Sequence, residues 1–282
     1  MMSFAIASIG LNSQTSIDNN LRIISHAVNE AAQAGAKLIV LPENACAMGR
    51  QDELAIRFDE ICQFYQTLAQ KQQIHLVAGT LPCPNRPDGS KVDGGRFRQT
   101  SLMIDPAGNI KARYDKIHLF RAMVNDSTGR YDESQTFEAG DEVVIANCMI
   151  DGVAVNVGMM ICFDVRFPAL AQQLRQQGAD ILTVPAAFTQ RTGQAHWQLL
   201  LQARALDSQC MVIGSAQGGM HHIGSRVRET WGHSLIADAN GQVVATTGEM
   251  TGEYQIVYAN YTPSEQRQIR QNLPIFDCHR LS

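Results

Sequence analysis

"GAKLIVLPE", residues 35–43, and "GADILTVPA", residues 178–186, share a glycine-alanine start, an apolar run and a proline near the end. Gly35 aligns with Gly178 and Pro42 with Pro185 at one constant offset, so the match is in register. The elements around the two copies also follow one order. In the first half "FAIASIG" reads as a strand. Residues 17–34 read as a helix, with Asp18 and Asn20 near its start and Gly35 past its end. "KLIVLPE" is a strand, and residues 53–71 an amphipathic helix with Leu54, Phe58, Ile61, Tyr65 and Leu68 at helical spacing. "IHLVAGT" is a strand, and "TSLMIDPAGNIKARYDK" a hairpin turned at Asp105–Gly108.

The second half repeats this. "VAVNVGMMIC" is a strand. Pro168 opens a helix, where its missing N–H costs nothing, and Gly178 ends it. "DILTVPA" is a strand, residues 193–208 a helix, "CMVIGSAQ" a strand, and "GHSLIADANGQVVATTG" a hairpin turned at Asn240-Gly241. The period is too long for a solenoid. The pattern predicts an α/β fold in which residues 1–282 form a single domain. That domain is a four-layer αββα sandwich of two mixed β-sheets with pseudo-two-fold internal symmetry. The central strands are apolar throughout, as expected for sheets covered on both faces. Residues 81–96 read as a long surface loop.

Composition narrows the function classes. The chain has 282 residues, 45% hydrophobic and 18% charged, with a formal net charge of -4. Its 23 basic residues are scattered without a run or stripe, which argues against a nucleic-acid partner. No stretch approaches the ~18 apolar residues of a membrane span, and the N-terminus lacks a basic leader. Seven cysteines at irregular spacings, without C-x-x-C, point to reduced thiols and a cytoplasmic protein. No metal and no organic cofactor is expected. The adjacent His221 and His222 lack the i, i+4 spacing of a shared metal site.

In α/β sheets ligands gather beyond the carboxyl ends of strands. "LIVLP" ends in Glu43, "GMMI" in Cys162, and the hairpin strand "IKARYD" in Lys116, while "YDESQTFEAG" places Glu133 in a nearby loop. Taken singly, each has an ordinary reading: a core thiol, a solvated charge. Glu43 gains weight because its counterpart in the second half is Ala186, so the halves differ where chemistry would need them to. A helix starting near Cys162 is expected to favour its thiolate. Serine-hydrolase, P-loop and dinucleotide motifs are missing from the sequence, and a Cys–His pair stays open with eight histidines present.

Three blocks then carry a resemblance. "LPENA" around Glu43, "YDKIHLF" around Lys116 and "ICFDVRFP" around Cys162 resemble the signatures of the nitrilase (carbon–nitrogen hydrolase) superfamily, in its order and over essentially the whole chain. The resemblance implies Cys162 as nucleophile, Glu43 as general base, Lys116 as oxyanion stabiliser and Glu133 as a second, positioning glutamate. Phe163 stands where many members have tyrosine, and its backbone N–H would complete the oxyanion hole. A base that cycles through acid and base roles is expected to have a raised pKa. The family also implies a homodimer or higher homo-oligomer. "RETWGHSLIADANGQVVA" and "RQNLPIFDCHR" are similar to the branch that cleaves deaminated glutathione. That implies a small-molecule amide substrate with two carboxylates. Arg191, Arg226 and Arg228 are candidates for binding them, with His196 and Trp197 as further contacts. Asp164 and Arg166 read as a structural pair, Arg166 also shaping the site. Nitrilase, ω-amidase and carbamoylase activities remain alternatives, as does a non-catalytic thiol redox sensor or scaffold.

Overall fold

In the computed structural model, which describes residues 2–124 and 129–280, the two halves build two sheets of matching order. The seven-stranded sheet runs Tyr254–Tyr261, Phe4–Leu11, Ala36–Val40, His75–Val77, Arg98–Ile104, Leu81–Cys83, with Ile110–Asp115 also on Arg98–Ile104. The six-stranded sheet runs Val243–Thr246, Leu235–Ala237, Met211–Ala216, Ile181–Ala186, Val153–Met159, Ile145–Ile150. Within each half the first three strands pair in parallel and the hairpin joins antiparallel, so both sheets are mixed.

Strand periodicity decides which residues meet. Phe4, Ile6, Leu38, Val40, Val77 and Met103 point between the sheets and share one core with Val155, Val157 and Met159. Their neighbours Ala7, Ile9, Ile39, Leu41, Leu76 and Leu102 point outward, under the helices Ile17–Gln33 and Phe58–Gln72. Helices Pro168–Gln176 and Gln190–Ser208 cover the other sheet through Leu170, Leu174, Trp197 and Leu201. Two serines bridge the layers: Ser8 donates to the Gly214 carbonyl (3.0 Å) and Ser215 to that of Ile9 (2.6 Å). The symmetry extends to the turns, since Gly35 and Gly178 both adopt left-handed φ, 95° and 97°.

Several expectations need correction. The helix anticipated over 53–71 is two, Gln51–Ile56 and Phe58–Gln72, broken at Arg57. The Arg57 side chain ties down Asp18 (2.8 Å) and Glu60 (2.6 Å). Ser16 caps the first helix, with Asp18 in its first turn as expected. Asn20 is buried and donates to the carbonyls of Gln14 and Cys46, both at 2.8 Å. Part of the 81–96 loop, Leu81–Cys83, is a strand. The outer strands Ile145–Ile150 and Tyr254–Tyr261, the helix Pro263–Asn272 and the hairpin Gly218–Ile223/Arg226–Trp231 were not anticipated. Among the described residues no helix is long and apolar enough to cross a membrane.

Candidate active site

The strand Val153–Met159 ends just before Cys162, whose φ of 46° is left-handed. For a residue with a Cβ that geometry costs about 1–3 kcal/mol and persists only when its surroundings enforce it. The enforcement comes from Asp164, fully buried inside the single-turn helix Cys162–Arg166. Its Oδ2 accepts from the Ile161 N–H (2.8 Å) and the Tyr114 hydroxyl (2.7 Å). Its Oδ1 accepts from the backbone N–H (3.0 Å) and Nδ1 (2.7 Å) of His118. Tyr114 and His118 flank Lys116, so one carboxylate braces the turn bearing the thiol against the segment bearing the ammonium. Asp164 therefore does not pair with Arg166, as the sequence suggested. The Arg166 guanidinium lies over the rings of Phe188 (5.2 Å) and Phe163 (5.8 Å), 3.4 Å from His196 Nδ1.

Lys116 has no solvent exposure. Its Nζ is 2.9 Å from Glu43 Oε1 and 2.9 Å from Glu133 Oε2, and that second oxygen also accepts the Phe120 N–H at 2.7 Å. Glu43 is held by its backbone as well, since Gln217 donates to its carbonyl (3.1 Å) and Thr80 accepts the next N–H, from Asn44 (2.9 Å). The four groups named from the sequence thus meet in one place.

Their electrostatics differ from expectation in two respects. Burial pushes the Glu43 carboxyl up, but the contacting Lys116 ammonium, helped by the Cys162 thiol and by Arg228, carries it below the ordinary carboxylate range. The anticipated raised base is therefore a lowered one, because the ammonium is in contact. Burial, with the Glu43 charge beside it, drives the Cys162 thiol well above its usual range, against the pull of Lys116 and a backbone hydrogen bond from Ala187. The expected helix-stabilised thiolate is not found; the helix Pro168–Gln176 starts only after the intervening turn. Burial also raises Glu133, with the Glu43 charge adding to it against Lys116. Lys116 is held well above its normal value: burial opposes the charge, but the two glutamates outweigh burial. At neutral pH the cluster rests as thiol, carboxylate and ammonium.

A cleft opens onto these groups. Its cavity volume is about 40 Å³. Phe163, Phe188, Phe120 and the threonines Thr189 and Thr192 form its walls, with Arg166 and Arg228 at the rim. Thr189 caps the helix Gln190–Ser208 there. Neither arginine forms an ion pair with a carboxylate among the described residues. Arg228 donates to the Ala187 carbonyl (2.9 Å), lies over Tyr131 (5.7 Å), and keeps its buried Nε without a partner among the described residues. Of the other candidates, Arg191 and Arg226 are exposed and outside the lining, and His196 reaches the cleft only through Arg166. Trp197 is a correction: it is 1% exposed, packs on Phe188 (5.0 Å), and donates its indole N–H to the His233 carbonyl (2.8 Å). The threonines and Phe188 were missed, although "AAFT" continues a strand whose first-half counterpart leads into Glu43.

Comparison with known proteins shows the family. Residues 5–271 match the carbon–nitrogen hydrolase family. The deaminated glutathione amidase of Synechocystis sp. is 37% identical over 279 residues, 97% of each chain. The omega-amidase of Homo sapiens is 33% identical over 282 residues, covering 98% of this chain and 95% of that one. The crystal structure of the Caenorhabditis elegans NitFhit protein is similar with a TM-score of 0.85 at 32% identity, over 99% of this chain and 65% of that one. The chain belongs to the carbon–nitrogen hydrolase family, within the nitrilase superfamily, and is a hydrolase acting on carbon–nitrogen bonds.

Proposed function

We propose that the chain is an amidase that hydrolyses deaminated glutathione, splitting the amide between its 4-oxoglutarate part and cysteinylglycine to give 2-oxoglutarate and Cys-Gly. The observation that carries this reading is the cleft itself: a thiol, a carboxylate and an ammonium converge there, and two guanidiniums that form no ion pair among the described residues line it. The guanidiniums suit a substrate bearing carboxylates. The Synechocystis relative, matched end to end, bears the corresponding name.

In the proposed mechanism the substrate carbonyl lies between Cys162 and Lys116. Thiol and carboxylate are the resting forms, so transfer of the proton from Cys162 to Glu43 is uphill and proceeds together with formation of the S–C bond. The Lys116 ammonium and the Phe163 N–H receive the developing oxyanion, a contribution of ~10²–10³ in rate per donor. As the tetrahedral intermediate collapses, the C–N bond breaks and Glu43 returns its proton to the leaving amine. Cys-Gly departs, leaving a thioester. Glu43 then takes a proton from water as it attacks, the C–S bond breaks, and the acid leaves with the thiol restored. Glu133 holds Lys116 in place throughout. Arg166 and Arg228 receive substrate carboxylates.

A second reading, an ω-amidase releasing ammonia from the primary amide of the same oxo acid, is favoured by the human relative. The two are separated by comparing kcat/KM for deaminated glutathione and for that primary amide. A clear preference for deaminated glutathione is expected. A reversed preference would replace the first reading by the second.

A further inference from the structure

The hairpin Gly218–Ile223/Arg226–Trp231 belongs to neither main sheet, yet it delivers Arg228 to the cleft. Something must hold it. Its second strand is tethered on the cleft side, where Trp231 donates to the Phe188 carbonyl (3.0 Å) and Thr230 bridges to Thr189. The first strand is tethered to residues 12–14: Asn12 donates to the Gly218 carbonyl (2.6 Å) and Gln14 to that of Met220 (3.0 Å).

At the centre of this attachment is His221. It has no solvent exposure, and it lies directly across the hairpin from Arg228. Residues directly opposite in an antiparallel pair project to the same face. Both ring nitrogens are engaged. Nδ1 is 2.7 Å from the Ser13 carbonyl, which can only accept, so Nδ1 carries the proton. Nε2 is 2.6 Å from the Thr230 hydroxyl and accepts from it. Burial, with the Arg228 charge adding to it, lowers the imidazole to about 4, so the ring is neutral and keeps this donor–acceptor pattern at physiological pH. One side chain thus joins the first strand, the second strand and the chain at Ser13, next to the arginine that faces the ligand.

We infer that His221 is a positioning residue for carboxylate recognition: it fixes the hairpin so that Arg228 points into the cleft. The inference rests on the reading of Arg228 as a carboxylate receiver, and it assigns a role to a histidine that takes no part in the chemistry at Cys162. It also accounts for a histidine buried outside both sheets, where an apolar residue would suffice for packing alone.

The test needs no assumption about the natural substrate. Iodoacetate and iodoacetamide alkylate the same thiol and differ in a carboxylate, so their rate ratio at Cys162, mapped by mass spectrometry in the full-length protein, reports anion recognition. In Arg228→Gln the ratio is expected to fall about tenfold, the loss of one charge-assisted hydrogen bond. In His221→Gln, and in Thr230→Val, which removes only the hydroxyl that His221 accepts from, it is expected to fall roughly three- to tenfold with the iodoacetamide rate unchanged. If His221→Gln does not fold, Thr230→Val decides. A ratio that falls in Arg228→Gln but not in the other two variants overturns the role of His221 and leaves Arg228 as carboxylate receiver. A ratio unchanged in Arg228→Gln overturns that reading and the inference with it. Equal slowing of both reagents in the His221 and Thr230 variants shows general damage to the site and also overturns the inference.

Discussion

Replacing Lys116 with methionine tests the buried charge cluster most severely. The substitution keeps the unbranched apolar stem but deletes an ammonium with two carboxylate oxygens at 2.9 Å. At an effective dielectric constant of 20, each contact is worth about 6 kcal/mol of Coulomb attraction. Desolvation of the three groups cancels most of that, and removing one partner of a buried pair typically costs about 3–5 kcal/mol. The pH dependence gives a sharper signature than the magnitude. In the wild type Glu43 is lowered, so it contributes stability at neutral pH that is lost as pH falls through its folded pKa, below the ordinary carboxylate range. Without Lys116, burial and the neighbouring Glu133 leave the folded pKa of Glu43 above its unfolded value. Glu43 then favours folding only at low pH and opposes it as pH rises. Urea unfolding of both proteins across pH 4 to 8 measures this. The stability gap is expected to widen as pH rises from 4, reaching about 3–5 kcal/mol by pH 7. A gap under about 1 kcal/mol, or one independent of pH, would refute the reasoning that the ammonium keeps Glu43 ionised.

Three further outcomes follow from the geometry. Alkylation of Cys162 by iodoacetamide should keep accelerating from pH 6 to 9, because burial and Glu43 keep the thiol protonated; a plateau near pH 7 would mean a resting thiolate. Asp164→Asn cannot accept all four bonds that brace the Cys162 turn against the Lys116 segment. It should lose about 2–4 kcal/mol in denaturant titrations and lower kcat far more than it changes KM; an unchanged kcat in a folded variant would contradict the bracing role. Gly79→Ala would place a methyl group against the Pro42 carbonyl, beside Glu43, at a φ of 62°. A loss of about 2 kcal/mol is expected by thermal or chemical unfolding, and a neutral result would show that the Pro42–Glu43 segment can shift freely.

The architecture was legible because its central strands are buried on both faces and its turns carry glycine or proline at fixed places. The outer strand Tyr254–Tyr261 escaped notice because its faces are only half-buried, so neither an apolar run nor clean alternation marks it. The hairpin carrying Arg228 is held by side chains from residues 12–14, a long-range arrangement that no local pattern encodes. Glu43, Lys116 and Cys162 were legible as polar residues ending apolar strands. The directions of two pKa shifts were not, since burial can be guessed from sequence but an ammonium at 2.9 Å cannot. The signal against Trp197 was present: Gly193, Trp197, Leu201 and Ala205 recur every fourth residue, the buried face of their helix.

The central claim is that Cys162 attacks the amide of deaminated glutathione with Glu43 and Lys116 beside it. It is tested most directly by measuring 2-oxoglutarate release from that substrate by the wild type and by Cys162→Ala, both verified as folded. Rapid release is expected from the wild type and none above background from the variant. Release that persists in Cys162→Ala would contradict the nucleophile, and absence of release by folded wild type would contradict the substrate.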